Sequence, residues 1–540
     1  MLEEEFKFIK HEGEKPEGKM NFKFIAPGEV RTRFAPSPTG FLHIGSARTA
    51  LFNYLFAKKN QGSFILRIED TDRERSKPEF EEDILENLKW LGIGWDEDPY
   101  KQSERGKIYK KYVEKLLEEG KVYYCFCSEE ELEAQRQYQM SIGQPPRYSG
   151  KCANLTKEEV KKFLAEGKKF VIRFKVEAKK IEFEDLIRGK IEFDTALMGD
   201  FVIAKPESGG LFMPLYNFGV VVDDFEMRVS HVIRGEEHIS NTPKQILIQE
   251  ALGFPQPKYA HLPLILAPDR SKLSKRHGAV AINQYRQLGY LPEALINFIA
   301  FLGWNPGTER EIYSMASLIK EFSLERVQKG GAVFNIRRLD FLNGFYIRQR
   351  SIEKLTELCL PYLIEAGLIT PVFKEKQYPP AYGAKEILPT YKISETGQEI
   401  GLEKIQKIVS LYQERLKKLS EISELADFFF KEKLEYDKGL LKWREMTDRE
   451  IKQSLDKSLK ILHKIEKEKW NKENLEKVLM EEAEKFAKEI RKPVADRGYL
   501  LWPLRVALTG KSASAGPFEI TEILGRESVL KRIEEAKKNF

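Results

Sequence analysis

Two short segments of the chain combine glycine, histidine and cationic side chains in patterns that suit phosphate chemistry. Residues 33–46 read Arg-Phe-Ala-Pro-Ser-Pro-Thr-Gly-Phe-Leu-His-Ile-Gly-Ser, and residues 269–276 read Asp-Arg-Ser-Lys-Leu-Ser-Lys-Arg. In the first segment, Gly40 and Gly45 let the backbone approach a ligand closely, and His43 can donate a hydrogen bond to a phosphate oxygen. A helix that begins there adds free N–H groups and a positive dipole, which attract phosphate.

The second segment predicts a cationic clamp around the same phosphate groups. Lys272, Ser274 and Lys275 supply two ammonium groups and a hydroxyl, and Arg276 and Arg270 can add to them. Charge-assisted hydrogen bonds contribute about 1.5–3 kcal/mol each, and removing a donor aimed at developing charge lowers a rate by about 10²–10³-fold. Because a substrate carboxylate can itself attack a phosphorus atom, such a site works by positioning and charge stabilisation, without a nucleophilic side chain.

Taken singly, each feature has an ordinary structural explanation. Residues 36–40 suit a common turn, residues 272–276 suit a basic surface loop, and a lone His43 is more often a surface residue than a phosphate ligand. The chain also contains His11-Glu12-Gly13, a His-x-Gly with no strand or helix pattern around it. What favours a nucleotide site is the joint occurrence of a strand–turn–helix and, after a second α/β block, a Lys-x-Ser-Lys loop.

Hydrophobic patterning predicts the elements that position these segments. A strand at Val30–Phe34 enters the first turn, and a second strand at Ser63–Ile68 ends in Glu69. The α/β pattern returns at Met227–Ile233 and continues through a helix that Thr242 caps. In an open parallel sheet, ligands lie beyond the carboxyl ends of the strands, where both the first turn and Glu69 fall.

The same patterning predicts a multidomain protein with a Rossmann-like α/β catalytic domain, an α+β insertion and an all-α C-terminal part. Long Lys/Glu-laced helical runs such as Asp448–Lys492 mark the last of these. The predicted regions are a partly disordered extension at 1–29, the first catalytic half at 30–120, the insertion at 121–222, the second catalytic half at 223–270, the clamp loop with a helical domain at 271–347, and the helical region at 348–540.

Composition limits the class of protein without identifying it. Ninety Lys and Arg against 84 Asp and Glu give a net charge of +6, which is too balanced to indicate nucleic-acid binding by itself. Four cysteines are too few for a disulfide scaffold and fit a reducing cytosol, so we expect a cytoplasmic protein. No apolar run approaches the ~20 residues that span a bilayer, and we expect no membrane partner.

On these motifs the chain resembles the bacterial-type glutamyl-tRNA synthetases, which are class I aminoacyl-tRNA synthetases. The resemblance implies ligation of L-glutamate to tRNA(Glu) through a glutamyl-adenylate, with ATP and Mg²⁺, by a monomer that binds tRNA before it activates the amino acid efficiently. It extends from about Val30 to near the C-terminus and is strongest in Arg33–Ser46, Arg67–Asp72, Tyr216–Asp224, Val232–Glu237, Ser271–Gly278, Gly289–Trp304 and Pro503–Gly510.

The resemblance also implies the residues of the two substrate sites. The ATP-binding residues are Pro36, Gly40, His43, Gly45, Lys272, Lys275 and Arg276, and those of the chemical step are His43, Lys272, Ser274 and Lys275. The glutamate pocket is lined by Arg33, Ser37, Glu69, Tyr216 and Arg234. We favour Arg234 for the side-chain carboxylate, although Arg33 is the alternative and could instead pair with Glu69. An amide substrate would leave such an arginine desolvated, which favours glutamate over glutamine.

A zinc site is a further implication of the resemblance. Cys125, Cys127 and, further along, Cys152 resemble the thiolate ligands found in the insertion of some family members. Asn154 stands where many relatives have a histidine, and Tyr148 is the substitute that we consider for the fourth ligand. Three free thiols without a metal are the alternative.

For tRNA binding, the resemblance assigns the acceptor stem to the insertion and the anticodon to the helical region, where Arg415 and Arg505 are our candidate contacts. Whether tRNA(Gln) is also charged stays open. Two other classes of protein are the alternatives: an enzyme that uses the same ATP site for another product, such as a tRNA-modifying glutamyl transferase or a nucleotidyltransferase, and a non-catalytic tRNA-binding module. The length of the helical region argues against the first, and the presence of His43, Lys275 and Glu69 argues against the second.

Overall fold

The computed structural model describes residues 29–274, 276, 278–376 and 386–540. The chain divides into two compact units, the first comprising Met1–Arg286 with Pro292–Leu339 and the second Gln287–Leu291 with Asp340–Phe540. Of the predicted extension at 1–29, only Glu29 belongs to the described residues, and Lys275 of the clamp segment also lies outside them.

The first unit alternates strands and helices over most of its length. Its elements are β1 (Arg31–Phe34), α1 (Ile44–Lys59), β2 (Ser63–Ile68), α2 (Pro78–Trp90), β3 (Tyr100–Lys101), α3 (Gly106–Glu118), β4 (Val122–Cys125), α4 (Glu129–Ser141), α5 (Lys157–Ala165), β5 (Val171–Phe174), β6 (Lys180–Asp185), β7 (Gly189–Asp194), β8 (Phe201–Glu207), β9 (Leu211–Pro214), α6 (Tyr216–Glu226), β10 (His231–Gly235), α7 (Thr242–Leu252), β11 (Lys258–Leu262), β12 (Ile265–Leu266), α8 (Ile282–Gln287), α9 (Pro292–Ala300), α10 (Met315–Glu321) and β13 (Ala332–Val333). Helix α11 (Ile336–Arg348) continues into the second unit.

Parallel strands form the centre of this unit, as predicted. Strand β1 pairs in parallel with β2, which pairs in parallel with β3, and β10 pairs in parallel with β11. The Ser230 N–H donates to the Arg31 carbonyl at 3.0 Å and so joins the two groups of strands. The predicted α/β fold with a parallel sheet is therefore confirmed.

Local sequence explains how α1 follows β1. All four residues of β1 are buried, and the proline-rich turn then leads to His43, whose Nδ1 accepts from the Ser46 N–H at 3.2 Å and caps the helix. The apolar face of α1 is buried, including Leu51 and Leu55. The predicted cap of α7 is wrong: Asn241 is the N-cap residue, without a side-chain cap bond, and Thr242 is the first helical residue.

The insertion has two parts that differ in their attachment. Strands β4, β5, β8 and β9 form an antiparallel sheet of their own, whereas the β6–β7 hairpin extends the catalytic sheet through a parallel pairing of Asp185 with Tyr259 of β11. The alternating exposed and buried residues of β6 agree with a strand that has only one face covered. The limits predicted for the insertion, 121–222, stay a prediction.

The second unit is mainly helical, as predicted, and carries one small antiparallel sheet that the sequence analysis did not foresee. Thr447 caps the long helix α15 (Asp448–Lys464) of this unit through a reciprocal pair of hydrogen bonds with Glu450. In the part of the chain that the structure describes, no helix is both long and apolar enough to cross a membrane. The elements of the second unit are α12 (Ile352–Glu365), β14 (Ile369–Lys376), β15 (Glu386–Ile393), β16 (Glu399–Ile400), α13 (Leu402–Ser410), α14 (Glu421–Ala426), α15 (Asp448–Lys464), α16 (Lys472–Glu489), α17 (Gly498–Thr509), α18 (Pro517–Leu524) and α19 (Arg526–Lys537).

Candidate active site

The two segments singled out in the sequence converge in the first unit. The Ile44 N–H donates to the Val280 carbonyl at 2.9 Å, and the Ile282 N–H donates to the Leu42 carbonyl at 2.7 Å. His43 therefore lies opposite Ala281 in an antiparallel bridge. The chain that follows the clamp segment is thus tied directly to the residues around His43.

The charge of Lys272 in the second segment affects the pKa of His43 in the first. The His43 side chain is exposed, yet the protein around it desolvates the imidazole and lowers the pKa of His43; Glu237 opposes this shift and Lys272 adds to it. A Cβ atom at Gly45 would lie 3.0 Å from His43 Cε1, so a larger residue there would push the imidazole away by a few tenths of an ångström. A Cβ at Gly40 would meet no atom of the described residues within 4 Å, so no packing contact explains that glycine.

The clamp segment begins as a tight turn after β12. The Ala267 N–H donates to the Ser271 carbonyl at 2.8 Å, and Arg270 adopts a left-handed backbone conformation with φ of 63°. Lys272 forms a bridge with Leu266 and is exposed, Ser274 is half-buried, and the Arg276 guanidinium donates to Ser271 Oγ at 3.2 Å.

In the first segment, Pro36 is half-buried, and its carbonyl accepts from the Glu69 N–H at 2.9 Å.

Beneath the first turn lies a buried cluster of two arginines and two carboxylates. Arg33 donates to Asp224 through Nε at 3.1 Å and Nη2 at 3.4 Å. Arg67, which is fully buried, donates to Asp224 at 2.6 Å and to Glu69 at 3.0 Å. Burial raises the pKa of Glu69 in spite of Arg67, whereas Arg33 and Arg67 outweigh the burial of Asp224 and lower its pKa.

Arg234, near the carboxyl end of β10, has a different environment. Its Nε donates to His261 Nε2 at 3.2 Å and its Nη2 donates to Thr242 Oγ1 at 2.8 Å. Its buried Nη1 has no hydrogen-bond partner among the described residues, and its guanidinium lies 5.6 Å from the centre of the Tyr259 ring. Arg234 thus has neutral neighbours and an unused donor.

Tyr216 connects the two arginine environments. Its hydroxyl forms a hydrogen bond of 2.9 Å with His238 Nδ1, and burial raises the pKa of Tyr216, with electrostatic contributions from Arg234, Glu69 and Arg33. The residue as a whole is 37% exposed. Four of the five predicted glutamate-pocket residues therefore surround one region, and the fifth, Ser37, lies exposed in the turn, where its carbonyl accepts from the Thr39 N–H at 2.8 Å.

Sequence reasoning missed the partners that hold these arginines, namely Asp224, His261 and Asp185. A signal exists for Asp224, because Asp223 and Asp224 directly follow the buried run Val220–Val222 in α6. A carboxylate in an apolar helix requires a cation or donors nearby, although this rule does not identify which ones.

The three cysteines of the insertion lie together. The sulfur atoms of Cys125, Cys127 and Cys152 all lie within 4.8 Å of one another. The Tyr148 hydroxyl lies 3.4 Å from Cys125 Sγ and 3.3 Å from Cys127 Sγ, and it accepts from the Cys152 N–H at 3.0 Å. Arg173 stacks on the Tyr148 ring at 4.0 Å. The predicted fourth residue is thus adjacent to the thiols.

In the second unit, the two predicted tRNA-binding arginines are neighbours. Arg415 donates to the Ser514 carbonyl at 2.6 Å, and Arg505 donates to the Ser512 carbonyl at 2.7 Å. Arg505 also lies over the Trp502 ring at 4.2 Å. Partial burial and the charge of Arg415 both lower the pKa of Arg505, so the two guanidinium groups form one basic patch.

Comparison with known proteins agrees with this geometry. Residues 29–341 match the family of class I tRNA synthetases (E and Q), catalytic domain, and residues 354–537 match an anticodon binding domain. The chain is 49% identical over 521 residues to glutamate–tRNA ligase 1 of Caldicellulosiruptor saccharolyticus, covering 94% of this chain and 98% of that protein. It is 48% identical over 509 residues to the glutamate–tRNA ligase of Aquifex aeolicus, covering 94% and 98%. A crystal structure of the glutamate tRNA ligase from Elizabethkingia meningosepticum, in complex with its amino acid, matches with a TM-score of 0.77 and 34% identity, covering 94% of this chain and 99% of that one.

Proposed function

The chain belongs to the class I tRNA synthetases for glutamate and glutamine, and we propose that it ligates L-glutamate to tRNA(Glu) with ATP and Mg²⁺. In this reaction the glutamate α-carboxylate attacks the α-phosphorus of ATP and pyrophosphate leaves. The resulting glutamyl-adenylate then transfers its acyl group to tRNA and releases AMP. Relatives that share this length and are named glutamate–tRNA ligase support glutamate as the amino acid.

The observation that carries the proposal is the bridge between His43 and Ala281, which ties the first proposed phosphate-binding segment to the chain shortly after the second. It supports a site in which His43, Gly45 and the N-terminus of α1 meet the triphosphate on one side. Lys272, Ser274 and Arg276 meet it on the other, and Lys275, which lies outside the described residues, is included on the sequence motif alone. Magnesium bound with ATP would neutralise part of the phosphate charge. The protein donors would stabilise the charge that develops as pyrophosphate departs.

For glutamate, the proposal divides the pocket between its two ends. Glu69 accepts from the ammonium group, and Arg33 with Ser37 lies near the α-carboxylate, where the first turn would place the α-phosphorus. Arg234, with its unused Nη1, pairs with the side-chain carboxylate, and Tyr216 donates a neutral hydrogen bond. Glutamine would bring an amide to a guanidinium that lacks an anionic partner, so it binds less well.

The cysteine cluster fits a structural zinc ion. Tetrahedral zinc with Zn–S distances of about 2.3 Å requires sulfur atoms about 3.8 Å apart. Cys127 Sγ and Cys152 Sγ are 3.6 Å apart, and the Tyr148 oxygen lies within 3.4 Å of two of the thiols. We therefore propose Cys125, Cys127, Cys152 and Tyr148 as ligands. The thiols and burial raise the pKa of Tyr148, and a bound cation would reverse that effect.

For tRNA, the proposal assigns the anticodon to the basic patch formed by Arg415 and Arg505 and the acceptor stem to the insertion. Trp502, stacked under Arg505, adds an aromatic surface of the kind that single-stranded bases use. A monomer suffices for this reaction, because each proposed substrate contact comes from one chain.

An aminoacylation assay tests the function directly. Purified protein is incubated with ATP, Mg²⁺ and labelled glutamate or glutamine, with and without tRNA(Glu) or tRNA(Gln), and acid-precipitable label is measured. We expect label only with glutamate and tRNA(Glu). Label on tRNA(Gln) as well would extend the tRNA set, and the absence of label with every tRNA would refute the proposal.

A further inference from the structure

We propose that Asp185 and His261 are positioning residues that hold Arg234 in the orientation required for the side-chain carboxylate of glutamate. The inference rests on the proposed function and adds two residues that do not touch the substrate. It begins from a chain of contacts that runs from Asp185 through His261 to Arg234, all three at most 5% exposed.

The contacts define the direction of each hydrogen bond. His261 Nδ1 lies 2.6 Å from Asp185 Oδ2, and His261 Nε2 lies 3.2 Å from Arg234 Nε. An ionised carboxylate only accepts, and a guanidinium only donates. His261 must therefore donate from Nδ1 to Asp185 and accept at Nε2 from Arg234. Only the neutral tautomer with its proton on Nδ1 satisfies both neighbours.

Hydrogen bonds hold the Asp185 carboxylate in the orientation that this role requires. Its Oδ1 accepts from the backbone N–H groups of Ile187 at 3.0 Å and Arg188 at 2.8 Å, which turns Oδ2 toward His261. Asp185 is the last residue of β6 and pairs with Tyr259 in the neighbouring strand β11, which also carries His261. The carboxylate that sets the tautomer thus comes from the hairpin that the insertion adds to the catalytic sheet.

The result at Arg234 is a guanidinium with a fixed orientation and unsatisfied charge. Nε and Nη2 are directed to His261 and to Thr242, which leaves the buried Nη1 without a partner among the described residues. By contrast, Arg33 has a carboxylate in direct contact. An orientation maintained by neutral acceptors leaves the positive charge of Arg234 for an anionic ligand.

Asp185→Asn tests the tautomer with little change in volume. The amide oxygen can keep the bonds from Ile187 and Arg188, and the amide nitrogen then faces His261 Nδ1 as a donor. This forces the imidazole proton to Nε2, where it meets the Arg234 Nε–H and has only the Thr242 hydroxyl, 3.3 Å away, as an acceptor. We expect the KM for glutamate to rise by about tenfold to a hundredfold, because a charge-assisted hydrogen bond to Arg234 is lost, while the KM for ATP stays within about twofold.

Two substitutions of His261 separate positioning from packing. His261→Gln can keep an acceptor oxygen near Arg234, whereas His261→Phe fills the space without one. We expect His261→Phe to raise the KM for glutamate as much as Asp185→Asn does. We expect the KM for glutamate of His261→Gln to be at least about threefold lower than that of His261→Phe. The matched control is His231→Gln, which replaces a buried imidazole of β10 that bonds Ser230 and not Arg234; its KM for glutamate should equal that of the wild type.

All kinetic constants are measured by tRNA-dependent aminoacylation on the full chain, and thermal midpoints show whether each variant is folded. If the wild type does not charge tRNA with glutamate, the proposed function fails. If the wild type is active but Asp185→Asn keeps its KM for glutamate, or raises the KM for ATP equally, the positioning role is refuted. Equal effects of His261→Gln and His261→Phe would also refute it.

Discussion

Replacing Asp224 with asparagine should destabilise the first unit through the two arginines that it holds. Arg33 Nε and Arg67 Nη1 both donate to Asp224 Oδ1, at 3.1 and 2.6 Å, and Arg33 Nη2 donates to Oδ2 at 3.4 Å. Asparagine keeps one acceptor oxygen but removes the negative charge and turns an NH₂ group toward Arg33. Removing one partner of a buried ion pair costs about 3–5 kcal/mol. Because asparagine keeps one acceptor, we expect the lower value, about 3 kcal/mol.

The pH dependence of this effect identifies its cause. Arg33 and Arg67 lower the pKa of Asp224 against the effect of burial, so the carboxylate binds protons less readily in the folded than in the unfolded state. Its contribution to stability is therefore complete above the unfolded pKa of about 4 and is lost as the pH falls through the folded value. The difference in stability between wild type and Asp224→Asn should be constant near neutral pH and should shrink below about pH 4.

Thermal unfolding followed by circular dichroism measures this difference. For a unit of about 300 residues, about 3 kcal/mol corresponds to a midpoint lowered by roughly 4–5 °C at neutral pH. Glu182→Gln is the control, because Glu182 forms an exposed ion pair with Lys190 and should leave the midpoint unchanged within error. A midpoint equal to that of the wild type at neutral pH, or a difference that persists undiminished at low pH, would refute the electrostatic account of this cluster.

Four further predictions concern substrates and metal. Arg234→Gln should raise the KM for glutamate by at least about tenfold and leave the KM for ATP unchanged; equal losses in both would mean that the residue is misassigned. His43→Asn should lower kcat by about 10²–10³-fold in aminoacylation with an unchanged thermal midpoint, and a smaller loss would contradict its role at the phosphates. Cys127→Ser should lower the zinc content of protein prepared without added metal, as measured by elemental analysis, from one equivalent to a small fraction, and a metal-free wild type would exclude the site. Arg505→Ala should raise the KM for tRNA(Glu) while the KM for glutamate stays constant, and the opposite pattern would place this residue outside the tRNA contact.

The sequence predicted those parts of the structure that local interactions determine, and it did not predict those that depend on contacts between residues distant in the chain. The pattern of apolar residues located β2 at Ser63–Ile68, because such a pattern is local. The small sheet of the second unit escaped prediction, since β14 includes a proline and lies in a chain of helical composition. The cap assigned to Thr242 was wrong for a related reason: its hydroxyl is used by Arg234, a partner that lies outside the helix.

The candidate site shows the same limit at the level of single residues. The family resemblance singled out Arg33, Glu69 and Arg234, whose guanidinium and carboxylate groups suit the charges of glutamate. Nothing in the sequence paired Asp185 with His261, which are 76 positions apart and meet only because β6 joins β11. Such pairs are created by strand order, and strand order is decided by the packing of the whole sheet.

The partners of the buried arginines explain why one pocket can hold both ends of a dicarboxylic amino acid. Arg33 and Arg67 share Asp224, and Arg67 also pairs with Glu69 and with Asp223. Because Arg105 pairs with Asp223 as well, three positive charges in this cluster face three negative ones. A zwitterionic backbone, with one ammonium and one carboxylate, adds no net charge to this balanced group. Arg234 is different, because neutral His261 and Thr242 are its hydrogen-bond partners and no carboxylate of the described residues forms an ion pair with it. In the proposed pocket, the arginine without a carboxylate in direct contact is thus the one assigned to the side-chain carboxylate of the substrate. Selectivity for glutamate would follow from this asymmetry, since an uncharged side chain would leave Arg234 buried without a counterion.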